Sequence, residues 1–244
     1  MRNIIDMERK DKIGFADLFI IQNPDYFCYG IDAVILSDFV KVKSGAKIID
    51  LGTGNGIIPL ILSHKTKAEK IIGIELQEKI YQLAKKNIDL NGLNNRIEIF
   101  NMDIKSAPEA FGFRSFSAVV ANPPYMAMDS GIKNIKDAKS ISRHETTANL
   151  SDFMETSSKL LVDQGDLFMI HRPMRLVDIV CLARENNLEP KKIRFIHPNK
   201  NQKPNIMLLH CVKNARPELK FLKPLYVYNA SGNFTPEINQ IYER

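Results

Sequence analysis

The chain has 244 residues, 44% of them hydrophobic and 25% charged, with a net charge of +6 and an isoelectric point near 9.1. That apolar content is enough to bury a sizeable core in one domain, and the charge leans toward an anionic partner such as nucleic acid. Cys28, Cys181 and Cys211 are widely spaced in apolar or aromatic surroundings, which suggests neither a disulfide framework nor a zinc site and predicts core thiols. The first eight residues lack a signal-peptide core, and no apolar run approaches membrane-spanning length, so a cytoplasmic location is expected.

A short lead-in precedes a helix expected over 31–40, with Ile31, Val34, Ile35 and Phe39 on one face and Asp32 near its positive end. The preceding Tyr26-Phe27-Cys28-Tyr29-Gly30 is aromatic for a loop; it suits core packing or a lid. Residues 46–51 read as a buried strand, and Gly52-Thr53-Gly54-Asn55-Gly56 as the turn into a helix over 57–64, where Pro59 is tolerated in the first turn. Small residues let a ligand lie against the backbone, and free amides at the helix start can meet a carboxylate. A dinucleotide fingerprint starting at Gly52 needs glycine at 57, where the chain has Ile57, so a nicotinamide dehydrogenase is disfavoured.

A second strand over 70–74 ends at Glu75, 19 residues after Gly56, where a carboxylate can accept hydrogen bonds from both hydroxyls of a ribose. A helix over 76–91 follows, with Gly92 as its C-terminal cap, and then a strand over 96–100 that delivers Asp103 just beyond its end. Residues 118–121 form a buried strand that stops at Asn122-Pro123-Pro124-Tyr125. The Asn122 amide oxygen and a rigid backbone carbonyl can each accept a hydrogen bond from one planar NH2 group, and the tyrosine ring offers a stacking surface. Such a site needs no general base before attack, because the amine proton becomes acidic only after nitrogen has gained charge.

Residues 126–148 show no clear periodicity and carry Lys133, Lys136, Lys139 and Arg143, which predicts a segment beside the substrate. Arg143-His144-Glu145 could contact substrate or form an ion pair, and His144 is the one histidine expected near the site. Helix 151–161, strand 166–170 and helix 173–186 continue the alternation. Strands 192–196 and 206–212 are joined by a loop whose Lys200 and Lys203, with Lys191, Lys192 and Arg194, suggest a phosphate-contacting patch or a solvated tip. The tail adds a strand-like run at 225–228 and a final helix.

Asp50-Leu51-Gly52-Thr53-Gly54-Asn55-Gly56 resembles the motif by which class I methyltransferases hold S-adenosylmethionine, and Asn-Pro-Pro-Tyr after a buried strand resembles the signature of those that modify exocyclic or amide nitrogens. Nearly the whole chain, including 22–38 and Arg143-His144-Glu145, is similar to the bacterial family that methylates N6 of the adenosine beside the anticodon of a valine tRNA, at position 37. That resemblance implies an α/β, Rossmann-like fold: a seven-stranded, mostly parallel sheet closed by an antiparallel C-terminal hairpin, with helices on both faces. One methyltransferase domain over 1–244 is expected, with a lead-in over 1–45, a core over 46–213 and an extension over 214–244.

The resemblance further implies S-adenosylmethionine as cofactor, contacted by Asp50, Gly52, Gly54, Gly56, Glu75, Leu76, Asp103, Ile104 and Asn122. Asn122, Pro123 and Tyr125 would be catalytic. Pro124, Arg143, Glu145, Lys200 and Lys203 would contact a tRNA anticodon loop, with no metal and no membrane involved. The nearest alternative is a protein glutamine methyltransferase, which shares the tetrad but carries a helical domain ahead of the glycine turn, where this chain has 49 residues before Asp50. DNA adenine methyltransferases usually add a target-recognition domain, and ring-carbon enzymes would be expected to supply a cysteine, which is absent near the tetrad. A catalytically silent RNA-binding module is the alternative from another class.

Overall fold

Residues 48–51 and 118–121 are buried throughout because their strands are covered on both faces, and they form the centre of the sheet, with Asp50 the one charged side chain among them. The computed structural model describes residues 8–24, 28–124 and 148–243. In chain order these form β1 (Arg9–Lys12), β2 (Phe19–Gln22), α1 (Ile31–Phe39), β3 (Lys47–Leu51), α2 (Ile57–Lys65), β4 (Lys70–Glu75), α3 (Glu78–Leu90), β5 (Ile97–Asn101), α4 (Ala107–Phe111) and β6 (Phe116–Ala121). After residue 147 come α5 (Leu150–Leu160), β7 (Leu161–His171), α6 (Leu176–Glu185), β8 (Leu188–His197), β9 (Ile206–Lys213), β10 (Lys220–Phe221), β11 (Leu225–Tyr226) and α7 (Pro236–Ile241).

The main sheet runs β10-β8-β9-β7-β6-β3-β4-β5, with β11 also on β8. Strands β5, β4, β3, β6 and β7 are parallel, and β9 lies antiparallel between β7 and β8. The seven expected strands and their antiparallel hairpin are all present, and two further two-residue strands, β10 and β11, extend the edge in parallel with β8. Ile48, Ala118, Val120 and Phe168 face one core with α1, α2 and α3, while Ile49, Leu51, Val119 and Met169 face a second with α5 and α6. The alternation along each strand therefore divides the core into two layers.

The lead-in is not simply a lead-in: β1 and β2 form a separate antiparallel hairpin. The Asn87 amide receives the Ile21 N–H at 2.6 Å and donates to the Ile21 carbonyl at 3.0 Å. One helical turn later, Asn91 receives the Phe19 N–H at 2.9 Å and donates to the Phe19 carbonyl at 2.8 Å. Two carboxamides four apart, on the last turn and the C-cap of α3, thus match two strand residues two apart, and they satisfy β2 as a neighbouring strand would. Asn87 also donates to the Asn55 carbonyl at 2.9 Å, which ties the hairpin to the glycine turn. Asn87→Leu is expected to cost about 3 kcal/mol, since several backbone groups lose their partner. Thermal unfolding should fall by about 10 °C for a chain of this size. An unchanged midpoint would mean that water replaces the amide without loss.

Other expectations shift for local reasons. Helix α3 begins at Glu78 instead of residue 76, because the Gln77 N–H is taken by the Glu75 carboxylate at 2.9 Å. The helix expected from 173 is a 3-10 turn, Pro173–Arg175, followed by α6. The N-cap position of α1 is Gly30, which has no side chain to cap the helix, and Asp32 supplies the acidic charge of the first turn. Cys28 and Cys181 are exposed and only Cys211 is a core thiol; burial pushes its ionisation far up, which makes it inert. Tyr29 packs against the first core cluster, which favours the packing role for what is described of that aromatic loop.

Candidate active site

Strand register decides what lies together at the carboxyl edge of the sheet. Leu51 on β3 pairs with Ile74 on β4 and with Ala121 on β6. The next residues, Gly52, Glu75 and Asn122, therefore leave three adjacent strands at one level, with about 5 Å between neighbouring strands. The order reverses on either side of β3, so these ends border the topological switch point of the sheet.

The turn after β3 is built from left-handed residues: Gly52, Gly54 and Gly56 have φ of 75°, 58° and 83°. A Cβ on Gly54 would meet nothing within 4 Å, so the backbone there is open to a ligand. On the inner side, a Cβ at Gly73 would come within 2.7 Å of Ile99 Cδ1 and 2.9 Å of Thr53 Oγ1, so a larger residue in β4 would push against the turn. Glu75 is buried and its carboxylate receives the Gly54 N–H at 3.1 Å and the Gln77 N–H at 2.9 Å. Burial raises its pKa, and these backbone donors oppose the rise.

Asp50 is fully buried one strand away, and desolvation, with the Glu75 charge adding to it, pushes its carboxyl up to about 7. The Thr53 hydroxyl moderates that shift without closing a hydrogen bond of ordinary geometry. Both Asp50 oxygens, Thr53 Oγ1 and both amide atoms of Asn55 are buried with no hydrogen-bond partner among the described residues. Clustered polar groups of this kind fit a ligand with its own charges and donors, and S-adenosylmethionine, with an ammonium, a carboxylate and a sulfonium, has that chemistry.

The other positions singled out in the sequence fall around this turn. Leu76 is 38% exposed at the end of β4, an apolar surface beside Glu75. Asp103 follows β5 and caps the 3-10 turn Ile104–Ser106 through the Lys105 N–H at 2.9 Å; Lys105 Nζ lies 3.4 Å from its other oxygen. Ile104 is buried in the second core cluster. Asn122 is half-buried, Pro123 buried and Pro124 exposed. Tyr125, Arg143, His144 and Glu145 lie outside the described residues.

Lys200 and Lys203 are exposed on the loop between β8 and β9, which opens on this same edge because His171 pairs with Met207. Lys191 and Lys192 do not join them: Lys192 sits five residues before the end of β8, about 17 Å back along the strand. Arg194 is engaged by Glu237 and by the Lys223 carbonyl. Two surface cavities, of about 280 and 250 Å³, lie elsewhere on the chain and include no residue of the glycine turn.

The sequence reading missed His171. It ends β7 beside β6, is 3% exposed, and its Nδ1 accepts the Arg172 N–H at 2.8 Å. Burial lowers its pKa, so the ring is neutral near pH 7 with its proton on Nε2. A histidine closing an apolar strand next to Asn-Pro-Pro was the available signal. Among the described residues, no cluster of three His, Cys, Asp or Glu side chains could hold a metal, and no helix is long and apolar enough to cross a membrane.

Residues 18–179 match the family described as the methyltransferase small domain. The chain is 27% identical over 241 residues to a tRNA1(Val) (adenine(37)-N6)-methyltransferase of Porphyromonas gingivalis, covering 96% of this chain and 94% of that one. It is 23% identical over 224 residues to the protein of the same name from Tolumonas auensis, covering 91% of each. Among solved structures, a predicted O-methyltransferase of Agrobacterium tumefaciens superposes with a TM-score of 0.71 at 25% identity, over 87% of this chain and 95% of that one.

Proposed function

The chain belongs to the methyltransferase small-domain family, and on that basis we propose that it methylates N6 of an adenosine in tRNA, at position 37 beside the anticodon of a valine tRNA, using S-adenosylmethionine. The observation that carries this reading is the shared level of Gly52, Glu75 and Asn122, set by the pairing of Leu51 with both Ile74 and Ala121. A cofactor turn and an amine-holding tetrad belong on neighbouring strand ends if one is to act on what the other holds. The whole chain, 1–244, is read as one methyltransferase domain.

S-adenosylmethionine supplies a methyl group already activated on a sulfonium. The residues of this chain supply binding and alignment. Gly52, Gly54 and Gly56 would let the cofactor approach the backbone, Glu75 would offer its remaining lone pairs to the ribose hydroxyls, and Leu76, Asp103 and Ile104 would serve its adenine. Asp50 contributes negative charge behind the turn.

At the substrate, Asn122 Oδ1 and the Pro123 carbonyl accept the two amine hydrogens. An adenine amine delocalises its lone pair into the ring, and this pair of acceptors favours a pyramidal nitrogen with the lone pair available. Pro124 stiffens the tetrad and Tyr125 stacks on a base presented from a single-stranded loop. The proton leaves to water after nitrogen has gained charge, so no residue is assigned as base. Arg143, Glu145, Lys200 and Lys203 contact the RNA.

The test is transfer of labelled methyl from S-adenosylmethionine into total unmodified tRNA and, in parallel, into release-factor protein, followed by nucleoside analysis. Label in N6-methyladenosine is expected. Label in protein glutamine would overturn the reading, and cofactor binding without turnover would favour a silent RNA-binding module. Separately, Lys200→Glu with Lys203→Glu is expected to weaken tRNA binding and to reduce its salt slope by roughly two. If affinity and slope both hold, that loop is only a solvated tip.

A further inference from the structure

The sheet divides its carboxyl edge between two tasks. The glycine turn, Glu75 and Asp103 follow β3, β4 and β5, on one side of the switch point. If the cofactor lies on that half, a nucleic acid presenting its base at Asn122 has to rest over the ends of β7, β9 and β8. Two segments stand there: the corner 172–177 after β7 and the loop 198–205 between β8 and β9. Arg172 Nη1 donates to the Asn205 carbonyl at 3.0 Å, which joins the two segments into one surface.

This corner carries an unusual pair. Met174 is 85% exposed and Val177 72% exposed, the two largest exposures among the large hydrophobic side chains of the described residues. They are three residues apart, a spacing at which side chains become neighbours on a helical surface. Arg172 and Arg175 flank them in sequence, and Lys200 and Lys203 are exposed on the 198–205 loop that Arg172 joins to the corner. Arg175 is paired with Asp178 at 2.6 Å, the acidic group in the corner's flank. Isolated exposed apolar residues need no explanation, but an apolar pair between two arginines, on a corner joined to a lysine-bearing loop at the same sheet edge as Asn122, is suited to one ligand class.

We propose that the corner 172–177 is a docking surface for the single-stranded RNA loop that carries the target adenosine, with Met174 and Val177 packing against unstacked bases beside it and the basic side chains meeting the phosphates. The inference rests on the tRNA reading above. Single-stranded RNA exposes unstacked base faces, which pack on apolar surface, and it carries its negative charge at regular intervals alongside them. A protein segment is the competing occupant of such an apolar pair, and it would not call for the surrounding positive charge.

The experiment is Met174→Ser with Val177→Ser, both on the surface where folding is not at risk, measured against Met174→Leu. Binding of an unmodified anticodon stem-loop RNA is followed by fluorescence anisotropy across a salt series, with tRNA methylation kinetics beside it. Roughly tenfold weaker RNA binding is expected, with an unchanged salt slope because no phosphate contact is lost. KM for tRNA should rise with kcat held, Met174→Leu, which keeps an apolar side chain, should retain most of the wild-type affinity, and S-adenosylmethionine binding should not move. Unchanged RNA affinity in the double serine variant overturns the proposal. The binding arm does not depend on turnover, so a wild-type protein that fails to methylate tRNA would refute the functional reading while the corner is still judged by its own result.

Discussion

Asn122→Ala is expected to lower kcat for adenosine methylation by about 10²- to 10³-fold, the usual loss when one aligned polar partner of a reacting group is removed, while the dissociation constant for S-adenosylmethionine stays within a few fold. The reason is the division of labour proposed for the edge. The glycine turn and Glu75 hold the cofactor from β3 and β4, whereas Asn122 leaves β6 and meets the substrate amine. Removing its amide leaves Pro123 as the one remaining acceptor of that pair, so the nitrogen returns to planarity and keeps its lone pair in the ring. A loss confined to the transition state appears in kcat and kcat/KM together. Asn122→Asp retains an acceptor and should retain more activity than the alanine variant. Steady-state turnover unchanged in Asn122→Ala would remove the mechanism.

The second large effect concerns Asp50. Its carboxyl stands near 7 in the folded chain against an ordinary value of 3.8, because burial disfavours the ion. The folded protein therefore holds this proton more tightly than the unfolded one does, and the penalty for ionising Asp50 grows as pH rises from about 4 to about 7. At pH 8 that penalty reaches up to about 4 kcal/mol. Asp50→Asn removes the charge at nearly constant shape, so the cofactor-free variant should melt up to about 10 °C above wild type at pH 8. The gap should close as pH falls toward 4. Cofactor binding should respond in the opposite sense: wild type tightens its hold on cationic S-adenosylmethionine as pH rises through 7, and the asparagine variant binds about tenfold more weakly at pH 8 with a flattened pH profile. Calorimetry of cofactor binding at pH 6 and 8, beside thermal unfolding without cofactor, checks both arms. An asparagine variant that melts no higher at pH 8 would mean that Asp50 is compensated by groups outside the turn.

The reach of the sequence differed from element to element. Strands β3 and β6 were legible because burial on both faces leaves short, mostly apolar runs between turn formers, and α3 was legible from its one apolar face. Glu75 and Asn122 could be seen to end their strands for the same reason. The hairpin of β1 and β2 was not legible: Arg9-Lys10-Asp11-Lys12 has no apolar alternation, and β2 finds its partners 66 and 72 residues away on α3. His171 was overlooked because its neutral, buried state depends on the strands and backbone around it.

What the sequence determined by itself was therefore local and periodic: the alternation of strands and helices, the glycine spacing that disfavours a dinucleotide, and the arrival of an acid or amide at successive strand ends. Only the tertiary structure decided which ends share a level, that Lys200 and Lys203 stand apart from Lys191 and Lys192, that Asp50 is driven toward neutrality, and that Met174 and Val177 remain in the open. The physical reason is range. Periodicity and turn chemistry act over a few residues, whereas register, desolvation and exposure are set by chain segments far apart in sequence that meet only when the sheet closes.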